Sequence, residues 1–127
     1  MMKRKVLIID DETNFTQMVK FNLEETGEYE VFVENEALEG FNAALKYHPD
    51  LILLDVIMPG MEGPDVIFQL KSTEDVKEIP VVFLTATITK EEVTAQHGII
   101  AGHTFLAKPT SVVELVDCIE AKMHNRY

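Results

Sequence analysis

Four short apolar runs constrain the fold of this chain more strongly than any other feature of its sequence. The runs are Val6–Ile9, Leu51–Leu54, Val81–Leu84 and Phe105–Ala107. Each is too short for a helix, and unbroken apolar runs of this length are typical of strands buried on both faces of a parallel sheet. Tyr29–Glu34 instead alternates apolar and polar side chains, which indicates a strand at the sheet edge. The sequence therefore predicts five strands.

Helical spacing of apolar residues separates these strands. The inward faces of the first three predicted helices are Phe15, Met18, Val19 and Leu23; then Ala37, Phe41, Ala44 and Leu45; then Val66, Ile67 and Leu70 after an opening Pro64. Two more helices begin with capping boxes, Thr89-x-x-Glu92 and Ser111-x-x-Glu114. Strands that alternate with five helices predict an α/β fold, in which right-handed crossovers place helices on both faces of a parallel sheet.

Length and charge limit what the chain does. Its 127 residues suit a single domain spanning 1–127. The 11 Lys and Arg against 22 Asp and Glu give a net charge of −11, which argues against direct binding to nucleic acid or anionic membranes. Cys118 has no disulfide partner within the chain, no apolar run is long enough to span a bilayer, and a cytoplasmic location is expected.

Polar residues follow the predicted strands at one edge of the sheet, where open parallel sheets form their sites. Asp10 and Asp11 follow the first strand, Asp55 the third, Thr85 the fourth and Lys108 the fifth. Converging carboxylates repel, since two like charges about 4 Å apart at an effective dielectric of about 20 cost roughly 4 kcal/mol. Carboxylate oxygens favour a hard cation such as magnesium, and Lys108 adds an ammonium group.

A carboxylate beside magnesium, an ammonium and a hydroxyl is equipped to attack phosphorus, and we assign that attack to Asp55. Each residue also has an ordinary interpretation. A single aspartate at a strand end is commonly a helix cap or turn residue, and Thr85 suits a strand as a β-branched residue. The shared location at one end of several strands favours the chemical interpretation, because turn formation does not require it.

An ordered set of motifs covers essentially the whole chain. Its members are Asp10-Asp11, Leu54-Asp55, Met58-Pro59-Gly60-Met61-Glu62-Gly63, Thr85-Ala86, and Phe105 three places before Lys108-Pro109. A lone Asp-Asp pair is uninformative, but this set resembles the receiver domain of bacterial two-component response regulators, of the chemotaxis-regulator type. The resemblance implies a doubly wound, flavodoxin-like five-stranded sheet in the order 2-1-3-4-5.

The resemblance also implies the chemistry of the site. Asp55 would accept a phosphoryl group from the phosphohistidine of a sensor histidine kinase or a phosphotransfer protein. Magnesium would be bound by Asp10, Asp11, Asp55 and the backbone carbonyl of Ile57. Lys108 would assist, held toward Asp55 by a cis peptide before Pro109.

The resemblance further implies a switch made by Thr85 and Phe105. The Thr85 hydroxyl would move to the phosphoryl group, Phe105 would turn inward, and the surface of the fourth helix, fifth strand and fifth helix would change. That surface would control a downstream effector whose identity the sequence leaves open, with homodimerisation on phosphorylation as a further option. Catalysis would be limited to the domain's own phosphorylation and dephosphorylation.

Two departures from the family pattern stand out. Residues 95–103 are unusually apolar and lack the acidic Gly-Ala-Asp pattern that commonly leads into the fifth strand, so the conformation of this stretch stays open. Ile57, two places after Asp55, cannot hydrogen-bond an attacking water, which predicts a long-lived acyl phosphate. A chain ending after the fifth helix suits either a stand-alone regulator or a receiver cut from a longer protein.

Two other classes of protein use similar features. The main alternative is a magnesium-dependent aspartate-nucleophile phosphohydrolase, although such enzymes generally place a second acid where this chain has Ile57. A flavodoxin-type flavin protein is less favoured, because no loop rich in Ser, Thr and Gly follows the first strand. His97 and His103 lack the spacing of a metal site.

Overall fold

The computed structural model describes residues 3–55, 63–86, 99–100, 103–108 and 111–124. The strands are β1 (Arg4–Ile9), β2 (Tyr29–Glu34), β3 (Leu51–Asp55), β4 (Val81–Thr85), β5 (Ile99–Ile100) and β6 (His103–Ala107). The described helices are α1 (Thr13–Glu25), α2 (Gly40–Tyr47), α3 (Gly63–Lys71) and α4 (Val112–His124), and a 3₁₀ turn, Ala37–Glu39, precedes α2. Across the described ranges, every helix is too short or too polar to cross a bilayer.

The strands form one sheet in the order β2-β1-β3-β4-β6-β5. The first five in this order pair in parallel, which confirms the predicted 2-1-3-4-5 order, with β6 as the predicted fifth strand. The two-residue β5 was not predicted and pairs antiparallel with β6. It comes from the apolar stretch 95–103, whose residues 95–98 and 101–102 lie outside the described residues, as does the helix predicted from Thr89.

Helices bury the sheet on both faces, and neighbouring residues of its central strands point to opposite sides. Leu7 and Ile9 of β1 pack on the side covered by α2 and α3. Val6 and Ile8 pack on the side covered by α1 and α4. All four side chains are fully buried. This two-sided burial explains why the strand sequences show no polar alternation.

Helix α1 differs in one respect from the predicted pattern. Val19 and Leu23 are buried as expected, but Met18 is 40% exposed, and the expectation that it faces the core was wrong. Thr16 takes the core-facing place one turn before Val19 and is fully buried. Its hydroxyl donates to the carbonyl oxygen of Thr13 at 3.0 Å, so a polar residue is accommodated there.

The predicted signals at helix ends are confirmed at two positions. Gly27 follows α1 with φ +81° and donates its backbone N–H to the Glu24 carbonyl at 3.1 Å, a left-handed geometry that favours glycine. The backbone N–H of Glu114 donates to Ser111 Oγ at 3.1 Å, and that of Ser111 donates to Glu114 Oε1 at 3.3 Å. This reciprocal pair is the predicted capping box, and it fixes the start of α4.

Candidate functional site

Three aspartates converge at the carboxyl end of the central strands. Asp10 follows β1 directly, Asp11 is next to it, and Asp55 is the last residue of β3. One carboxylate oxygen from each lies within 4.8 Å of the other two. Asp10 is fully buried and Asp55 is 7% exposed, whereas Asp11 is exposed. The structure therefore brings together the three carboxylates predicted from strand ends.

Their convergence follows from the strand register. Ile9 of β1 is paired in parallel with Leu54 of β3, so the next residue of each strand emerges at the same edge. Thr85 and Ala107 are likewise paired at the ends of β4 and β6, one position before Lys108. The sheet thus delivers residues from four places in the chain to one edge.

Lys108 lies between these carboxylates. Its Nζ is 2.8 Å from Asp10 Oδ2, 2.7 Å from Glu12 Oε1 and 3.9 Å from Asp55 Oδ2, and its side chain is only 6% exposed. The ring of Phe15 lies on another side, with its centroid 4.7 Å from Nζ. Lys108 therefore places a cation beside the candidate phosphoacceptor.

The environment keeps Lys108 protonated. Burial on its own lowers the pKa of an ammonium group. Hydrogen bonds to Asp10 and Glu12, with the charges of Asp10 and Asp55, outweigh that effect and raise the pKa of Lys108 above its ordinary value of 10.5. The site consequently carries a permanent positive charge at neutral pH.

Backbone groups and the Asn35 side-chain amide hold the residues of the site in place. The Lys108 N–H donates to the Thr85 carbonyl at 2.8 Å, continuing the β4–β6 pairing by one residue. Asn35 Nδ2 donates to the Asp10 carbonyl at 2.8 Å and to Thr16 Oγ1 at 3.1 Å. These bonds restrain the backbone that carries the candidate metal ligands.

Three residues of this site were missed in the sequence. Glu12 directly follows the aspartate pair, and Phe15 was assigned only to the core face of α1. Asn35 follows β2, so the rule that selected Asp10 and Asp55 from strand ends would also have selected Asn35.

Thr85 and Phe105 lie on the same side of the sheet. Phe105 is paired with Phe83 across β4 and β6, and their rings stack with centroids 5.2 Å apart. Thr85 is two residues beyond Phe83 on β4, so its side chain points to the same face. Thr85 is 3% exposed, and Phe105 is partly buried. The two residues expected to form a switch are therefore diagonal neighbours.

Several predicted features fall outside the described residues. They are Ile57 with its backbone carbonyl, the motif from Met58 to Glu62, His97, and Pro109 with the peptide before it. Gly63 begins α3 and His103 begins β6. The metal-ligand and cis-peptide predictions made for Ile57 and Pro109 stay predictions.

The three carboxylates fit a hard divalent cation. One oxygen of each of Asp10, Asp11 and Asp55 lies within 4.8 Å of the other two, close enough for one ion with ligand distances of about 2.1 Å to draw them together. Two of the three are nearly or fully buried, where an uncompensated negative charge is unfavourable. The donor set contains only oxygen, which suits magnesium better than a softer transition metal.

Comparison with known proteins decides the family. The family model for the response regulator receiver domain matches residues 6–120. The chain belongs to the response regulator receiver domain family. Receiver domains are signalling domains of two-component systems rather than enzymes that turn over external substrates.

Solved receiver structures share the whole fold of this receiver domain. A response regulator from Desulfuromonas acetoxidans is 25% identical with a TM-score of 0.81, and the match covers 98% of this chain and 99% of that one. The chemotaxis protein CheY4 of Vibrio cholerae is 28% identical with a TM-score of 0.80, covering 95% and 99%.

A third similar structure contains a metal ion. It is the receiver domain of a sensor histidine kinase from Pseudomonas aeruginosa PAO1, 21% identical with a TM-score of 0.80, covering 97% of this receiver domain and 99% of that chain. In that protein a magnesium ion is coordinated in the active site cleft. At this level of identity the likeness concerns the fold alone.

Proposed function

We propose that this receiver domain is a phosphorylation switch in which Asp55 accepts a phosphoryl group in a magnesium-dependent reaction. The observation that carries the proposal is the group of Asp10, Asp11 and Asp55 within 4.8 Å, with Lys108 Nζ 3.9 Å from Asp55. The phosphodonor is the phosphohistidine of a sensor histidine kinase or of a phosphotransfer protein. We place the reaction in the cytoplasm.

The transfer moves one phosphoryl group between two side chains. A carboxylate oxygen of Asp55 attacks phosphorus, and the phosphorus–nitrogen bond to the donor histidine breaks as the phosphorus–oxygen bond to Asp55 forms. The departing imidazole, protonated at its other nitrogen, keeps the electron pair and leaves as neutral histidine. Asp55 becomes an acyl phosphate.

The surrounding residues have separate tasks in this proposal. Asp10, Asp11, Asp55 and the Ile57 carbonyl would hold magnesium, and the ion would supply positive charge that offsets the carboxylates and phosphoryl oxygens. Lys108 supplies a second positive charge, because its ammonium is already within 3.9 Å of the acceptor. Positioning and charge neutralisation are the main sources of catalysis in phosphoryl transfer.

The output of the switch depends on Thr85 and Phe105, which lie on the same side of the sheet. We propose that the Thr85 hydroxyl moves to the new phosphoryl oxygens and that Phe105, which stacks on Phe83, turns inward to fill the space that Thr85 leaves. The change reaches the surface formed by β6, α4 and the helix predicted from Thr89. This surface controls an effector. Sedimentation before and after phosphorylation distinguishes an effector switch from homodimerisation.

A magnesium-dependent phosphohydrolase is the second candidate, favoured by the same three carboxylates. The test uses a labelled phosphohistidine donor in magnesium, with Asp55→Ala as the control. A switch takes up one label per chain and releases phosphate slowly from its own acyl phosphate. Steady release from small phosphoesters, or label on Asp55→Ala at the wild-type level, contradicts the proposal.

A further inference from the structure

Glu12 pairs with Lys108 at the rim of the site. Its Oε1 lies 2.7 Å from Lys108 Nζ, whereas Asp55 Oδ2 lies 3.9 Å away. Glu12 stands at the N-cap of α1, where its side chain makes no capping hydrogen bond. The Glu12 side chain is 59% exposed, whereas the Lys108 side chain that it contacts is only 6% exposed. Glu12 thus extends from the start of α1 to the cation of the site.

Lys108 Nζ lies at different distances from its three carboxylate neighbours. Two are within hydrogen-bond length, Asp10 at 2.8 Å and Glu12 at 2.7 Å, and Asp55 at 3.9 Å is beyond it. Phe15 borders Nζ with its ring. A phosphoryl group on Asp55 adds a further anion beside this ammonium, and it competes with Glu12 for Lys108.

We propose that Glu12 is a positioning residue that holds the Lys108 ammonium away from Asp55 until a phosphoryl group arrives. The inference rests on the proposed function of Asp55. The ion pair with Glu12 exists in the unphosphorylated domain and weakens as Lys108 turns to the phosphoryl oxygens. Because it stabilises the starting state more than the transition state, it slows phosphorylation. It also keeps Lys108 from moving fully between Asp10 and Asp55, where the ammonium competes with magnesium.

Glu12→Gln tests the proposal, with Glu36→Gln as a matched control. Glu36 is an exposed glutamate that borders the same cavity as Asp11. Among the described residues, the carboxylates near Lys108 are those of Asp10, Glu12 and Asp55, so Glu36 is not one of them. Both changes remove one negative charge near the site, so comparing them cancels the general effect of charge on an anionic donor.

The first measurement is the rate of phosphorylation by acetyl phosphate at saturating magnesium. We expect Glu12→Gln to react about two- to five-fold faster than Glu36→Gln, the factor expected for losing a partly exposed ion pair. The second measurement is the magnesium Kd, which we expect to be weaker in Glu12→Gln than in Glu36→Gln, because the released Lys108 moves onto the carboxylates. A role limited to folding does not raise the rate and weaken metal binding together.

A magnesium-free measurement separates this proposal from the proposed function. In a double-mutant cycle of Glu12→Gln and Lys108→Met, urea unfolding should give a coupling of about two- to five-fold in the unfolding equilibrium constant. Zero coupling, or a Glu12→Gln rate equal to or below that of Glu36→Gln, overturns the role of Glu12. Failure of the wild-type domain to take up phosphate at Asp55, with the coupling intact, overturns the proposed function instead.

Discussion

The Nζ atom of Lys108 lies 2.8 Å from Oδ2 of Asp10, and the two side chains are 6% and 0% exposed. The residues are far apart in sequence, and the parallel pairing of β1, β3, β4 and β6 brings them to one edge of the sheet. A buried pair of this kind is held by mutual compensation, so removing one member leaves an unpaired charge.

Lys108→Met should therefore destabilise the magnesium-free domain by about 3 kcal/mol, in the range measured when one partner of a buried ion pair is removed. Magnesium should restore part of the loss, because a divalent cation replaces the missing positive charge. Urea unfolding with and without magnesium measures both effects. Lys46→Met, which removes an exposed lysine, is the control, and an equal loss in the two variants would contradict the account.

Asp11→Asn should stabilise the magnesium-free domain by about 1 kcal/mol, the repulsion between two charges about 4 Å apart in a water-like dielectric. Asp11 is exposed, so solvent screens its charge and the water-like dielectric applies. The same variant should lose most of the stabilisation that magnesium gives to the wild type. Thermal melts are compared with those of Asp117→Asn on α4, and marked destabilisation by Asp11→Asn would show that the Asp11 carboxylate stabilises the fold more than it repels its neighbours.

Tyr29→Phe tests a contact at the opposite end of the sheet from the site. The buried Tyr29 hydroxyl donates to Glu120 Oε2 of α4 at 2.5 Å, and Arg4 binds the same oxygen. Burial, followed by the hydrogen bond and charge of Glu120, raises the pKa of Tyr29 above its ordinary value of 10.0. The loss of the hydrogen bond should cost about 1 kcal/mol at neutral pH.

The alkaline behaviour of Tyr29 has a definite sign. Because folding disfavours the ionised phenol, the contribution of Tyr29 is complete below pH 10.0 and declines as pH rises above that value. Tyr29→Phe should lose less stability than the wild type across this alkaline window. Tyr47→Phe, which removes a hydroxyl from a ring stacked on Phe32, is the control. Identical alkaline slopes in wild type and Tyr29→Phe would refute the assignment.

Much of the fold follows from the sequence because the strand signals are local. Leu51–Leu54 and Val81–Leu84 were predictable without knowledge of their neighbours, since unbroken apolar runs too short for a helix are typical of strands covered on both faces. The two-residue β5 could not be foreseen, because its only sheet partner in the described structure is β6 and its residues carry no period of their own. Met18 was misplaced because helical spacing alone does not distinguish the centre of a buried stripe from its margin.

The site, like the fold, was only partly predictable from the sequence. Asp10, Asp55 and Lys108 were predictable because strand ends of a parallel sheet meet at one edge. The pairing of Glu12 with Lys108 was not, since it depends on how the first turn of α1 faces the end of β6. Such a contact between distant segments is visible only once both are placed in three dimensions.

The identity of the phosphorylated residue tests the central claim most directly. The wild-type domain and Asp55→Asn are incubated with a phosphodonor and magnesium, quenched, and analysed by intact mass and peptide mapping. We predict one phosphoryl group on the wild type, located in the peptide that contains Asp55, and none on Asp55→Asn. An unmodified wild-type domain, or a phosphoryl group on Asp55→Asn at the wild-type level, would contradict the claim that Asp55 is the phosphoacceptor.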